Sequence, residues 1–130
     1  MSTEENKTVV RHFIDAYNRR DAIVLNEVLD PGIATRYLEI HIPRNSATWA
    51  DERVEITDTL AEDDWVWARM THTGRHLSEY RGIPPTGKTK TNAGCMFFRI
   101  ATGKIVEHSA LWDNLSELTQ LGGVVVPGAQ

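Results

Sequence analysis

EYRGIPPTGK at residues 79–88, followed by CMFFRIATGKIVEHSALWD at 95–113, is the stretch that decides the fold. Gly82, Pro84, Pro85 and Gly87 forbid regular pairing, so the first part reads as a loop. TKTNAGCMFFRI then reads as a long strand, ATG as a tight turn, and KIVEHSALW as the returning strand. That strand delivers a carboxylate, Asp113, at its end. Polar groups at the mouth of a curved sheet are a common way to build a small-molecule site.

Upstream, WVWARMTHTG at 65–74 is a strand rich in aromatic and branched residues. Trp65, Trp67, Arg69 and Thr71 share one face, and Val66, Ala68, Met70 and His72 the other. VEITDTL, from Val54, alternates and precedes a turn at Ala61–Asp63. Before it the period is helical. Ser2 with Glu5 is a capping-box signal, and Val9, Val10, Phe13, Ile14, Ala16 and Tyr17 recur on one face, which predicts a helix over Thr3–Arg19. Asp21 caps a second helix that Pro31-Gly32 is expected to end. IATRYLEIHIP reads as a strand closed by Pro43, and PRNSATWADER as loop. Downstream, DNLSELTQLGG is a short helix with Leu115, Leu118 and Leu121 as its stripe and Gly122 as its stop, and VVVPGAQ is a tail. Helices followed by long antiparallel-compatible strands define an α+β class, with a curved sheet and helices on one face.

At 130 residues the chain is expected to form one domain, residues 1–130, large enough to bury a core. A net charge of −4 with interspersed signs offers no basic stripe for nucleic acid. The single cysteine, Cys95, excludes an intramolecular disulfide and reads as a small buried hydrophobe in an apolar run. No apolar run reaches the roughly 18 residues of a membrane span, and MSTEENK lacks the apolar centre of a signal peptide. A cytoplasmic protein without membrane contact is the expectation.

Two roles are open for Asp113. Between an apolar strand and a helix, its carboxyl could be held near a low-dielectric cavity as a general base. It could equally be an N-cap, although Asn114 with Glu117 supplies a capping box of its own. His108, five residues earlier, falls on the opposite face of a regular strand, with Val106, Ala110 and Trp112. Arg69 could bind an anionic or enolate oxygen, or pair with Glu107 or Asp113, while Arg99 reads as solvated. Phe13 and Tyr17 line a pocket if they face the concavity. His72 and His76, on a segment running from strand into loop, are not expected to share a face or hold a metal. Neither a phosphate-binding glycine loop nor a Gly-x-Ser-x-Gly elbow is present.

NKTVVRHFIDAYNRRD in the first helix, the EYRGIPPTG loop, the FRIATGKIVEH hairpin and Asp113 together resemble the SnoaL-like polyketide cyclase family, part of the nuclear transport factor 2-like superfamily. The resemblance covers about residues 4–32 and 54–122. It implies a cone-shaped α+β barrel, a strongly curved antiparallel sheet wrapped around N-terminal helices, dimeric through the sheet's outer face. It also implies ring closure by intramolecular aldol condensation on a hydrophobic, carbonyl-rich small molecule, without cofactor or metal. Asp113 would be the acid/base, with His108 or Arg69 polarising an oxygen; Phe13, Tyr17, Trp67, Phe97 and Ser109 would shape the substrate site. Two departures stand out. Ser109 replaces a tryptophan of many relatives, and Leu38–Val54 reads as too short and polar for the family's third helix, which leaves an open pocket. A non-catalytic ligand-binding or dimerisation module, and an epoxide hydrolase built on Arg69 and Asp113, are the alternatives.

Overall fold

The Ser2 hydroxyl accepts a hydrogen bond from the Glu5 amide at 3.1 Å, and the Glu5 carboxylate accepts one from the Ser2 amide at 3.2 Å. This reciprocal cap starts α1, Thr3–Arg19, in a computed structural model that describes residues 2–123. The segment read as a tail, 124–130, lies outside the described residues. Asp21 caps α2, Ala22–Val28, by accepting from the Val24 amide at 3.1 Å.

The next segment corrects the sequence reading. Pro31-Gly32 does not end α2. Leu29 ends it, and Asp30 caps a new helix, α3 (Pro31–Arg36), with proline in the first turn where its missing N–H costs nothing. A π-helical stretch, Tyr37–His41, carries α3 into α4, Ile42–Thr48. Pro43 therefore sits in the first turn of α4 and closes no strand. The wider π turn absorbs the hydrogen bond and the space that proline denies a regular helix. The third helical layer, read as missing, is present.

β1 (Trp49–Glu62), β2 (Trp65–His76), β3 (Thr89–Ala101) and β4 (Lys104–Trp112) form an antiparallel meander in the order β1-β2-β3-β4. Register shifts at Ala50/Arg53, Ile56/Asp58 and Arg99/Ile100 bend the strands. The result is an open sheet curved like part of a cone around the helices, the α+β architecture expected. Val66, Ala68 and Met70 on β2 and Met96, Phe98 and Ile100 on β3 are buried on the concave face. Against them pack Val10, Phe13, Ala16 and Tyr17 of α1. Phe13 meets Phe98 and Tyr37 edge-on at 5.8 and 5.1 Å, and truncating so enclosed a ring to alanine costs about 3–5 kcal/mol.

The outer face carries the alternate positions. Trp67 stacks edge-on against Phe97 at 4.5 Å, and Arg69 pairs with Asp58. Cys95 pairs across strands with Arg69 and Leu111 and is half-buried on that outer face, not in the core. No helix among the described residues is long and apolar enough to cross a membrane.

Candidate active site

The concave side holds a half-open cavity of about 720 Å³. α1 supplies Phe13 and Tyr17, the π turn Tyr37 and His41, and α4 Arg44 and Asn45, so the segment expected to hold no helix roofs part of the pocket. The sheet supplies Glu52, His72, Asn92, Met96, His108 and Trp112. Gly94 makes the last of these possible. It pairs with Trp112 across β3 and β4, and a Cβ there would lie 2.1 Å from the Trp112 ring.

One end of the cavity is a connected polar network. Asn45 donates to the Tyr17 hydroxyl at 2.8 Å, and Tyr17 donates to Glu52 at 2.9 Å. Glu52, almost fully buried, also pairs with Arg20 at 2.5 Å and with His72 Nε2 at 2.6 Å. Burial works against ionising Glu52, but hydrogen bonds from His72, Arg20 and Tyr17 outweigh it and hold its carboxyl below the usual range. Burial and the adjacent Glu52 both push the Tyr17 hydroxyl up, so Tyr17 stays a proton donor.

His72 links this half to a second. Its Nδ1 faces the Lys90 ammonium, which lies inside the protein, donates to Asn92 Oδ1 at 2.5 Å, pairs with Glu117 at 2.6 Å and sits 4.6 Å above the Trp49 ring. An ammonium only donates, so Nδ1 accepts and the imidazole proton resides on Nε2, toward Glu52. Burial pulls the Lys90 pKa down against the opposing pull of Glu117 and Glu52. Tyr80, from the EYRGIPPTG loop, completes the network by donating to Glu117 at 2.6 Å. Two buried carboxylates thus face two cations, and every strong acceptor is occupied.

The other side of the cavity holds His108 and His41, both edge-on to the Tyr37 ring, at 5.5 and 4.9 Å between centroids. Burial, then the neighbouring His41 and Arg36, push the His108 pKa down; burial, Arg44 and Arg36 do the same to His41. A half-buried imidazole held below its ordinary value is neutral near pH 7 and able to take a proton.

The expected site residues divide. Phe13, Tyr17 and His108 line the cavity, and Ser109 borders it. Asp113 does not. Its exposed carboxylate accepts from the Ser116 amide at 3.0 Å and caps α5, Asn114–Gln120. Asn114 with Glu117 cannot replace it, because Glu117 is turned inward onto Lys90. Arg69, Trp67 and Phe97 stand on the outer face, since strand alternation sends these odd-numbered positions away from the helices. Arg69 pairs with Asp58 rather than Glu107 or Asp113, so the carboxylate–Arg–carboxylate set proposed for an epoxide hydrolase does not assemble from Arg69 and Asp113. Arg99, read as solvated, pairs with Glu107 at 2.7 Å. His72 and His76 do share a face, because β2 continues to His76 and positions four apart in a strand lie on one side. Both pack against Trp49.

Glu52, Lys90, Asn92 and Glu117 were missed. Alternation carries a signal for two of them. Counting back by twos from Phe98 and Met96 passes Gly94 and reaches Asn92 and Lys90 on the inner face.

Comparison with known proteins follows the same geometry. The family model for SnoaL-like polyketide cyclase matches residues 7–121. Aklanonic acid methyl ester cyclase DauD of Streptomyces sp. (strain C5) is 30% identical, over 88% of this chain and 80% of that protein. Aklanonic acid methyl ester cyclase DnrD of Streptomyces peucetius is also 30% identical, over 94% of this chain and 92% of its own. Among solved structures, TsrD from Streptomyces laurentii superposes with a TM-score of 0.82 at 26% identity, covering 95% of this chain and 99% of that one. Wild-type IdmH from Streptomyces antibioticus gives 0.79 at 25% identity, covering 90% and 98%.

Proposed function

The chain belongs to the SnoaL-like polyketide cyclase family, and from that premise we propose that it closes a ring in a hydrophobic, carbonyl-rich, polyketide-like molecule by cofactor-independent intramolecular aldol condensation. The observation that carries this reading is the aromatic-walled cavity of about 720 Å³ with the neutral imidazole of His108 on its wall.

The chemistry asks little more of the protein. A methylene between two carbonyls is acidic because its anion is a delocalised enolate. His108 takes one proton from that carbon. The enolate carbon then attacks a ketone carbon of the same molecule, a C–C bond forms, and the ketone oxygen becomes an alkoxide. The His108 imidazolium returns the proton to it. Positioned general acid–base catalysis of this kind contributes about 10²–10⁴-fold, and holding both carbons in contact contributes the rest. Phe13, Tyr37 and Trp112 supply flat apolar walls for a conjugated substrate. The Glu52–His72–Lys90–Glu117 network fixes the polar end in one arrangement, because each member is held by the next.

The loss of a covering helix was the feature that favoured a binding module without turnover, and α3–α4 remove that support. The test is product formation. Linear β-dicarbonyl compounds carrying a ketone within reach, each as the free carboxylic acid and as its methyl ester, are incubated with the protein, and cyclised product is separated from starting material against a protein-free control. Cyclisation above background supports the reading. Saturable binding across the panel with no cyclisation by the wild-type protein overturns it in favour of a binding module.

A homodimer through the outer sheet face belongs to the same proposal. Trp67, Leu60 and Leu111 leave 53, 71 and 70% of their surfaces exposed there, more apolar area than a lone chain gains by showing to water.

A further inference from the structure

Two arginines line the cavity, and their surroundings differ. Arg81 is engaged by Tyr80, donating from Nε to its hydroxyl at 3.0 Å and lying 5.4 Å over its ring. Arg44, on α4, donates to His41 Nδ1 at 3.3 Å and has no carboxylate partner among the described residues. An exposed arginine on a helix is ordinary. Arg44 is set apart by what surrounds it.

Both carboxylates that line the cavity are already committed. Glu52 is held by Arg20, His72 and Tyr17, and Glu117 by Lys90 and Tyr80. No lining anion is left to answer Arg44. Its contact with His41 also orients that ring. A guanidinium only donates, so Nδ1 accepts and His41 carries its proton on Nε2. The neutral state of His41, favoured by burial and by Arg44 and Arg36, keeps Nδ1 available as that acceptor. A guanidinium fork and an imidazole N–H therefore sit together on the roof, where His41, like His108, stands edge-on to the Tyr37 ring.

We propose that this cavity takes its substrate as a free carboxylic acid, with the carboxylate held by Arg44 and His41 while the reacting carbons lie against Tyr37 at His108. The carboxylate geometry matches a guanidinium's paired donors, which a neutral ester cannot use fully. The relatives DauD and DnrD are named for methyl esters, so the assignment separates this chain's substrate class from theirs. It rests on the concave cavity being the substrate site.

The test uses two probes of one shape, anthracene-2-carboxylate and its methyl ester, titrated into the full-length protein and followed by fluorescence. Wild type should bind the acid about tenfold or more tightly than the ester, with the acid's advantage falling as salt is raised. Arg44→Met should reduce acid affinity to the level of the ester, and saturable ester binding by the variant reports an intact fold. Arg44→Lys should retain part of it. Equal affinity for acid and ester in wild type, or a preference that survives Arg44→Met, would overturn the carboxylate assignment while leaving the cavity as substrate site. Failure of both probes to bind, or binding undiminished when Ala110→Trp fills the cavity from β4, would overturn both.

Discussion

His72 presents Nε2 to the Glu52 carboxylate at 2.6 Å while its other ring nitrogen accepts from Lys90. This single imidazole joins an Arg20–Glu52 pair to a Lys90–Glu117 pair across the inner face of the sheet. Removing Glu117 leaves the fully buried Lys90 ammonium without its carboxylate, so Glu117→Ala should cost about 3–5 kcal/mol in urea unfolding. A loss under 1 kcal/mol would mean the network does not hold the fold.

Glu52 also sets an acid limit. Its folded carboxyl lies below the usual value of 4.5, so its stabilisation is fully present above that pH. It is lost as pH falls through the lower folded value, because the unfolded state then binds the proton more readily. His108 has the same sign for a different reason. Its folded pKa is depressed below 6.5, so its contribution is present above about pH 6.5 and declines as pH falls toward the folded value. Stability measured from pH 7 to pH 3 should decline in two steps, and His108→Gln should shrink the upper one to the part that His41, depressed in the same direction, contributes.

Asp113→Ala should cost about 1 kcal/mol through loss of the α5 cap, and Asp113→Asn should be close to neutral because asparagine caps equally well. Thermal unfolding of the two variants checks this. Equal destabilisation by both would contradict a capping role.

Gly94→Ala places a methyl group within the Trp112 ring, so the ring must leave its position on the cavity wall. A loss of about 1–3 kcal/mol and a shift in tryptophan emission are expected. Unchanged stability would show that Trp112 is not anchored against β3.

Trp67→Glu on the outer face should convert a dimer to a monomer in sedimentation equilibrium without changing ligand affinity in the cavity. A wild-type chain that sediments as a monomer at all concentrations would contradict the pairing of outer faces.

The sheet was legible because its signals are local and periodic. Trp65–Met70 alternates strictly, and Gly82, Pro84, Pro85 and Gly87 mark the loop without ambiguity. Ser2 and Glu5 likewise fixed the start of α1. Residues 31–48 were not legible, because Pro31 and Pro43 look like terminators when they in fact occupy the first turns of α3 and α4. The site was half visible. Phe13, Tyr17 and His108, named among the candidates, line the cavity, whereas Glu117 reads as a capping partner until Lys90, 27 positions away, is seen to claim it. Asp113 was favoured by its place after the last strand, and geometry assigns it to the helix that follows.

The pH–rate profile of ring closure on the linear β-dicarbonyl compound, acid or ester, that the wild type cyclises fastest tests the central claim most directly, measured for wild type, His108→Gln and Asp113→Asn. Wild type should show a rate limb rising through a pKa below 6.5 and level above it. His108→Gln should lose that limb and about 10²–10⁴ of the rate, while Asp113→Asn keeps both. A His108→Gln variant with the wild-type profile, or an Asp113→Asn variant that loses the reaction, would contradict the account.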